Sequence, residues 1–357
     1  MTLRLSIAAC LAALSLAWAA APAQGVTYVD GISDQSLPAW DGGFDESYFA
    51  GLFNDTWAHG PGAHISFARY VVQWNLFSGK YPRYVAEFEA WLNDVASIDL
   101  KSEIGLTSYD GSLPGSPKEY RTELVRILSR ASVLGDPVRW LEAWNEPNGQ
   151  GGESATNAAH FTNAASSVCE REYGCTVIAG DFADSPNVAG YEEEYIENLN
   201  PVPINWGVHP YYSVEQESEA PLRNVREHLP NRGEHEQIWF TEVAARKCSD
   251  FGDNLVENGE AGQAQHADWL VNTLIKNVKP EHVFYYEVLL REGKRPDCQT
   301  EGSDSALYEP SADPTEPDRP RPAAAYIWGG EGPPPGEGDD AFMANAAQAR
   351  LTGGVYL

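Results

Sequence analysis

The feature that most constrains the fold is an eightfold alternation of short β-rich runs with amphipathic helical stretches. β-Branched and aromatic residues are concentrated at 26–32, 65–73, 103–108, 138–144, 176–180, 205–209, 237–242 and 282–289. Between them, segments 81–97, 116–134, 155–172, 191–199, 222–228 and 263–276 have helical spacing. In the first of these, Tyr84, Phe88, Trp91, Leu92 and Val95 fall on one face of a 3.6-residue period. Pro117 stands where a first helical turn tolerates proline. Parallel strands need a crossover, and a helix is the usual one, so this order predicts a parallel sheet. Eight units predict a closed (β/α)8 TIM barrel, an α/β fold. Such barrels use about 250 residues, so one domain over 24–328 accommodates the pattern.

The two ends read differently. Met1–Arg4 is basic, Leu5–Ala20 is apolar apart from small and hydroxyl residues, and Ala21-Pro22-Ala23 has small residues at a cleavage position. This predicts a secretory signal peptide over 1–23 and a secreted protein, extracellular or periplasmic. No later run is long and apolar enough for a bilayer, so no stable membrane association is expected. From Gly329 onward, glycine, proline and acidic residues dominate, and 329–357 is expected to be a flexible tail. Beyond the leader, the cysteines are Cys169, Cys175, Cys248 and Cys298. An even number in an exported chain predicts disulfides, and none has the spacing of a zinc site. Pairing Cys169 with Cys175 closes a short loop and leaves Cys248 for Cys298.

The formal net charge is −28, from 24 basic and 52 acidic residues. Such a surface repels phosphate backbones and anionic membranes, so nucleic acid is excluded as a partner and polyanionic glycans are disfavoured.

A barrel gathers its chemistry at the C-terminal ends of its strands. The fourth run ends in Trp144-Asn145-Glu146-Pro147-Asn148 and the seventh in Phe240-Thr241-Glu242. Cleaving a glycosidic bond requires one carboxyl group to protonate the leaving oxygen and a second across the sugar ring. Glu146 is placed for the first task and Glu242 for the second, while Asn145 can bind the sugar beside the cleaved bond. By two-residue alternation, Ile238, Phe240 and Glu242 share one strand face. If that face is the barrel interior, Glu242 stands at its rim.

On these motifs the chain resembles clan A of the glycoside hydrolases, with similarity to its family 39-like and family 5-like branches. The resemblance runs from the first strand to Trp328 by order of motifs. It implies a retaining glycosidase acting on β-linked sugars, with Glu146 as acid/base, Glu242 as nucleophile and no cofactor or metal. It further implies that His209 and Tyr211, after strand six, contact nucleophile and sugar, and that Arg69 supports the nucleophile. Where the clan often has tryptophan on strand eight, this chain has Tyr285, Tyr286 and Glu287, which puts Glu287 in the sugar site.

Other readings compete residue by residue. Arg69 could instead be a buried ion-pair partner of Glu142, and Asp181 a cap for the next helix. Of Trp40, Trp57, Trp74 and Trp239, Trp74 is the chosen sugar platform. Glu192–Glu194 reads as a solvated helix face. At the level of the whole chain, the rivals are a non-catalytic carbohydrate-binding barrel and a transglycosylase. The expected partner is an oligo- or polysaccharide, and the expected state a monomer.

Overall fold

The computed structural model describes residues 28–33, 65–97, 99–135, 138–149, 152–186, 188–230, 235–251, 254–288, 304–309 and 319–328. The expected leader, Trp40, Trp57, Cys298 and the expected tail lie outside the described residues.

Eight parallel strands close into a barrel. They are β1 (Gly31–Ser33), β2 (Phe67–Gln73), β3 (Lys101–Thr107), β4 (Trp140–Glu142), β5 (Thr176–Ala183), β6 (Asn205–His209), β7 (Gln237–Val243) and β8 (His282–Tyr285). Each pairs with the next, and β8 pairs with β1, with Gly31 opposite Phe284. Around it lie α1 (Pro82–Ser97), α2 (Pro117–Leu134), α3 (Ala155–Val168), α4 (Ala189–Glu197), α5 (Tyr211–Glu215), α6 (Ala220–His228), α7 (Gly259–Trp269) and α8 (Ala323–Ile327). The alternation in the sequence is thus the alternation in the fold.

Local chemistry sets the boundaries. Ser116 caps α2 by accepting a hydrogen bond from the Glu119 backbone N–H, Pro117 fills the first turn, and Gly135 ends the helix at φ +91°. The stretch read as one helix over 155–172 is α-helical to Val168, then widens into a π-helical segment, Cys169–Tyr173. The Cys169–Cys175 disulfide closes that end. Cys248 is also disulfide-bonded. Beyond β7, a hairpin of Cys248–Phe251 and Asn254–Glu257 was not expected. Four-residue strands are too short to establish a period.

The inside of the barrel is layered. Phe67, Trp140, Ile178, Trp239 and Phe284 form an apolar plug near the N-terminal ends of the strands. Each aromatic ring buries on the order of 150–250 Å², a gross gain of about 4–6 kcal/mol at about 25 cal/mol per Å². That gain helps offset the polar layer above it, where each buried ion costs several kcal/mol unless paired. Trp239 belongs to this plug and Trp74 to the core between barrel and helices.

Candidate active site

The polar layer follows from strand alternation. On β2, Ala68, Tyr70 and Val72 pack outward against the helices, leaving Arg69 pointing inward, fully buried. On β3, Ile104 and Leu106 pack outward, so Glu103 and Gly105 face in. On β4, Leu141 packs outward and Glu142 faces in. On β6, Trp206 and Val208 pack outward, and His209 faces in. Two glycines make room for the charges. A Cβ on Gly105 would lie 2.5 Å from Glu142 Oε2, and one on Gly207 would lie 2.9 Å from Asp181 Oδ1.

Two carboxylates reach the interior through irregular backbone. On β7 the inward residue is Trp239, while Ile238 and Phe240 pack against the helices. Ile238, Phe240 and Glu242 therefore do not share a face, contrary to the expected alternation, and the face of Ile238 and Phe240 is not the interior. Between Phe240 and Val243 the register with β8 slips by one residue. This bulge is where Glu242 turns inward. A second slip, between Gly180 and Phe182 on β5, releases Asp181 at φ +55°. Asp181 therefore lies inside the barrel and caps no helix. Glu146 sits at φ +43°, also in the left-handed region that non-glycine residues avoid. Such positions persist only where surrounding bonds hold them. Here Gly149 N–H donates to Glu146 O (3.0 Å). The Asn148 amide bonds both ways with the Ala183 backbone, at 2.9 and 3.0 Å.

Arg69 is the cationic hub. Its Nε and Nη2 donate to both oxygens of Glu142 at 2.8 and 2.5 Å. Nη2 also donates to Asn145 Oδ1 (2.7 Å) and Asp181 Oδ2 (3.2 Å), and Nη1 to Ser33 Oγ (2.9 Å) and Glu242 Oε2 (3.4 Å). Arg69 is thus the ion-pair partner of Glu142 and also contacts Glu242.

His209 is the second hub. Nδ1 lies 2.8 Å from Glu146 Oε1 and 3.3 Å from Glu242 Oε2, and Nε2 lies 2.9 Å from Asp181 Oδ1. Burial opposes charge on the ring, but Asp181 and Glu242 overcome it and hold its pKa well above the usual histidine value. These carboxylates favour the protonated ring. Burial likewise opposes charge on Asp181, yet His209 and Arg69 hold its carboxyl below the usual range, and the Thr241 hydroxyl donates to it. Burial and the nearby Glu142 push the Glu103 carboxyl well above the carboxylate range.

One carboxylate oxygen each of Glu146 and Glu242 and one nitrogen of His209 all lie within 4.8 Å of one another. A divalent cation needs a neutral imidazole lone pair. Asp181 and Glu242 favour the protonated ring, which offers none.

The remaining expected site residues divide. Tyr211 does not continue β6 but opens α5, after Pro210. Its ring meets His209 edge-on, with centroids 6.0 Å apart, and carries the Arg246 guanidinium 3.9 Å above it. Asp184 fixes α5 by accepting from the Tyr212 and Ser213 backbone N–H groups at 2.8 Å each. Glu287 follows a cis peptide after Tyr286 and is buried. Trp74 does not present an open face. It is 3% exposed, and its indole N–H donates to Ser112 O at 2.8 Å. Glu192 is no solvated charge: it is buried, and burial pushes its carboxyl up to about 9.

Sequence reasoning missed Ser33, Glu103, Gly105, Gly207 and Arg246. Glu103 and Gly105 had a signal, since they alternate with Ile104 and Leu106 along one strand. Ser33 and Gly207 had none without the barrel's register.

No family model matches the chain, and no curated protein matches it by sequence. Solved structures do. An endo-β1,6-glucanase aligns with TM-score 0.59 and 13% identity, over 86% of this chain and 76% of its own. GH5_18 from Streptomyces cattleya, solved with GlcNAc, gives 0.58 and 13%, over 90% and 92%. A structure from a study of two fungal β-1,4-galactanases gives 0.56 and 14%, over 84% and 98%. The fold of this chain is the (β/α)8 barrel that these glycoside hydrolases share.

Proposed function

We propose that the chain is an exported retaining glycoside hydrolase that cleaves β-glycosidic bonds of oligo- or polysaccharides by double displacement. The observation that carries the reading is the approach of Glu146 and Glu242 oxygens within 4.8 Å at the mouth of the barrel. Retaining enzymes hold their carboxyl groups about 5–5.5 Å apart, and inverting enzymes roughly 6.5–9.5 Å apart, to admit a water molecule. Oxygens within 4.8 Å of each other support the closer arrangement.

The hydrogen bonds divide the labour between individual oxygens. Glu242 Oε2 is held by Arg69 and His209, which leaves Oε1 as the attacking oxygen. Glu146 Oε1 accepts from His209, which leaves Oε2 to carry the proton to the leaving oxygen. Attack by Glu242 forms a glycosyl-enzyme, and the aglycone departs with the proton of Glu146. Glu146 then takes a proton from water, whose oxygen displaces Glu242 and releases the sugar with its configuration retained. Because Arg69 occupies Asn145 Oδ1, the amide NH₂ is the group left to bind the sugar.

β-Linkage is supported by the fold shared with an endo-β1,6-glucanase and β-1,4-galactanases. Export is supported by the leader pattern and by the Cys169–Cys175 disulfide. No described helix is long and apolar enough to cross a membrane. The test is a screen of aryl β-glycosides and polysaccharides, with the anomeric product followed by NMR. Hydrolysis with first-formed β-product is expected. First-formed α-product would replace the mechanism with an inverting one, and binding without turnover would leave a carbohydrate-binding barrel.

A further inference from the structure

Arg69 contacts the nucleophile, yet its best geometry is directed elsewhere. Two guanidinium nitrogens pair with both oxygens of Glu142 at 2.8 and 2.5 Å, whereas Glu242 receives one contact at 3.4 Å. Even that nitrogen, Nη1, is shared with Ser33 Oγ at 2.9 Å. A two-pronged arginine–carboxylate pair is the strongest form of this interaction. Were it made to Glu242, the nucleophile's charge would be stabilised, and a more stabilised carboxylate is a weaker base and a weaker nucleophile. Seven of the eight strands contribute a group to the layer: Ser33 from β1, Arg69 from β2, Glu103 from β3, Glu142 from β4, Asp181 from β5, His209 from β6 and Glu242 from β7, with Asn145 and Glu146 just beyond β4. Among them Glu142 alone engages two arginine nitrogens with two oxygens. Glu103 is also fully buried, with Oε1 3.6 Å from Arg69 Nε, a longer and single contact.

We propose that Glu142 is a positioning residue: by holding the fork of Arg69, with Ser33 sharing the third nitrogen, it limits the positive charge that reaches Glu242 and keeps the nucleophile reactive. The catalytic consequence rests on the hydrolase reading, whereas the electrostatic one does not.

The test compares wild type with Glu142→Gln, with Glu142→Gln/Glu103→Gln so that Glu103 cannot ionise in its place, and with Ser33→Ala, a deletion small enough to leave the barrel folded. The Glu242 carboxyl is followed by ¹³C NMR against pH, its signal assigned from Glu242→Gln. Its midpoint is expected to fall by about one unit in the Glu142 variants, as for a carboxylate given a less compensated cation. Ser33→Ala should shift it the same way by less. On an activated aryl glycoside, glycosylation should slow about tenfold, while breakdown of the glycosyl-enzyme quickens, because a less basic carboxylate leaves more readily. An unmoved or raised midpoint overturns the proposal, as does equal slowing of both steps. If the Glu142 variants do not fold, Ser33→Ala decides by the direction of its shift. A lowered midpoint in a protein that hydrolyses no glycoside upholds the role of Glu142 and sinks the hydrolase reading instead.

Discussion

Glu242 on β7 reaches across the barrel to Arg69 on β2, Oε2 to Nη1, at 3.4 Å. The contact depends on the β7 bulge, because regular alternation would have sent Glu242 outward with Ile238 and Phe240. It holds one oxygen and, in the proposed mechanism, leaves the other to attack. Glu242→Ala should therefore lower kcat by a factor on the order of 10⁴ or more. Azide or formate should enter the vacated space and partly restore activity, giving product of inverted configuration. Rate assays with product NMR check this, and wild-type-like turnover in the variant would remove Glu242 from the mechanism.

Glu146 has a separable signature. Its proton matters only when the leaving group cannot depart unaided. Glu146→Ala should slow poor leaving groups by about 10²–10⁴ and spare glycosylation by activated aryl glycosides. A leaving-group series under pre-steady-state conditions makes the comparison. A uniform loss across the series would argue that Glu146 shapes the pocket instead.

His209 predicts a pH dependence of stability. Its folded pKa is raised well above that of the unfolded ring, by Asp181 and Glu242 against the opposing effect of burial. The folded chain thus binds this proton more tightly than the unfolded chain. The resulting stability is fully present below the unfolded value of about 6.5 and is lost as pH rises through the folded value. The difference in unfolding free energy between wild type and His209→Asn should be widest in mild acid and narrow toward alkaline pH. Urea denaturation across that range measures it. A difference that widens as pH rises would mean the folded ring is neutral.

Much of this was legible in the sequence because the signals were local. Each βα unit carries its own period, so all eight strands could be read, with boundaries shifted by a few residues. Trp144-Asn145-Glu146-Pro147-Asn148 stood out because its residues lie within five positions, whereas the Asn148 tie to Ala183, 35 residues away, did not. What escaped depends on register. A single slipped residue reverses which face looks inward, so alternation alone could not show that Glu242 turns inward while Ile238 and Phe240 do not. Asp181 could not be told from a helix cap until its bulge placed it against Arg69 and His209. Trp74 looked like a sugar platform because aromatic content does not reveal which side of the barrel wall a ring occupies.

Gly105 gives the sharpest test of the layered interior. It lies on β3 opposite Glu142 on β4, and a Cβ there would come within 2.5 Å of Glu142 Oε2 and 3.3 Å of Arg69 Nη2. Neither neighbour can retreat cheaply. Glu142 is bound to the arginine fork, and Arg69 is fully buried among Ser33, Asn145, Asp181 and Glu242. Gly105→Ala should therefore destabilise the fold by about 1–3 kcal/mol, the usual range for overpacking a filled interior. It should also lower kcat, since any shift of Glu142 moves the cation beside Glu242. Gly149→Ala is the matched control. Its Cβ would meet nothing closer than 3.7 Å, so its stability should stay within about 0.5 kcal/mol of wild type. Denaturant unfolding of the two variants distinguishes the cases. A Gly105→Ala protein as stable and active as wild type would show that the charged layer has slack, and that the close packing of Glu142 on Arg69 does not control the site.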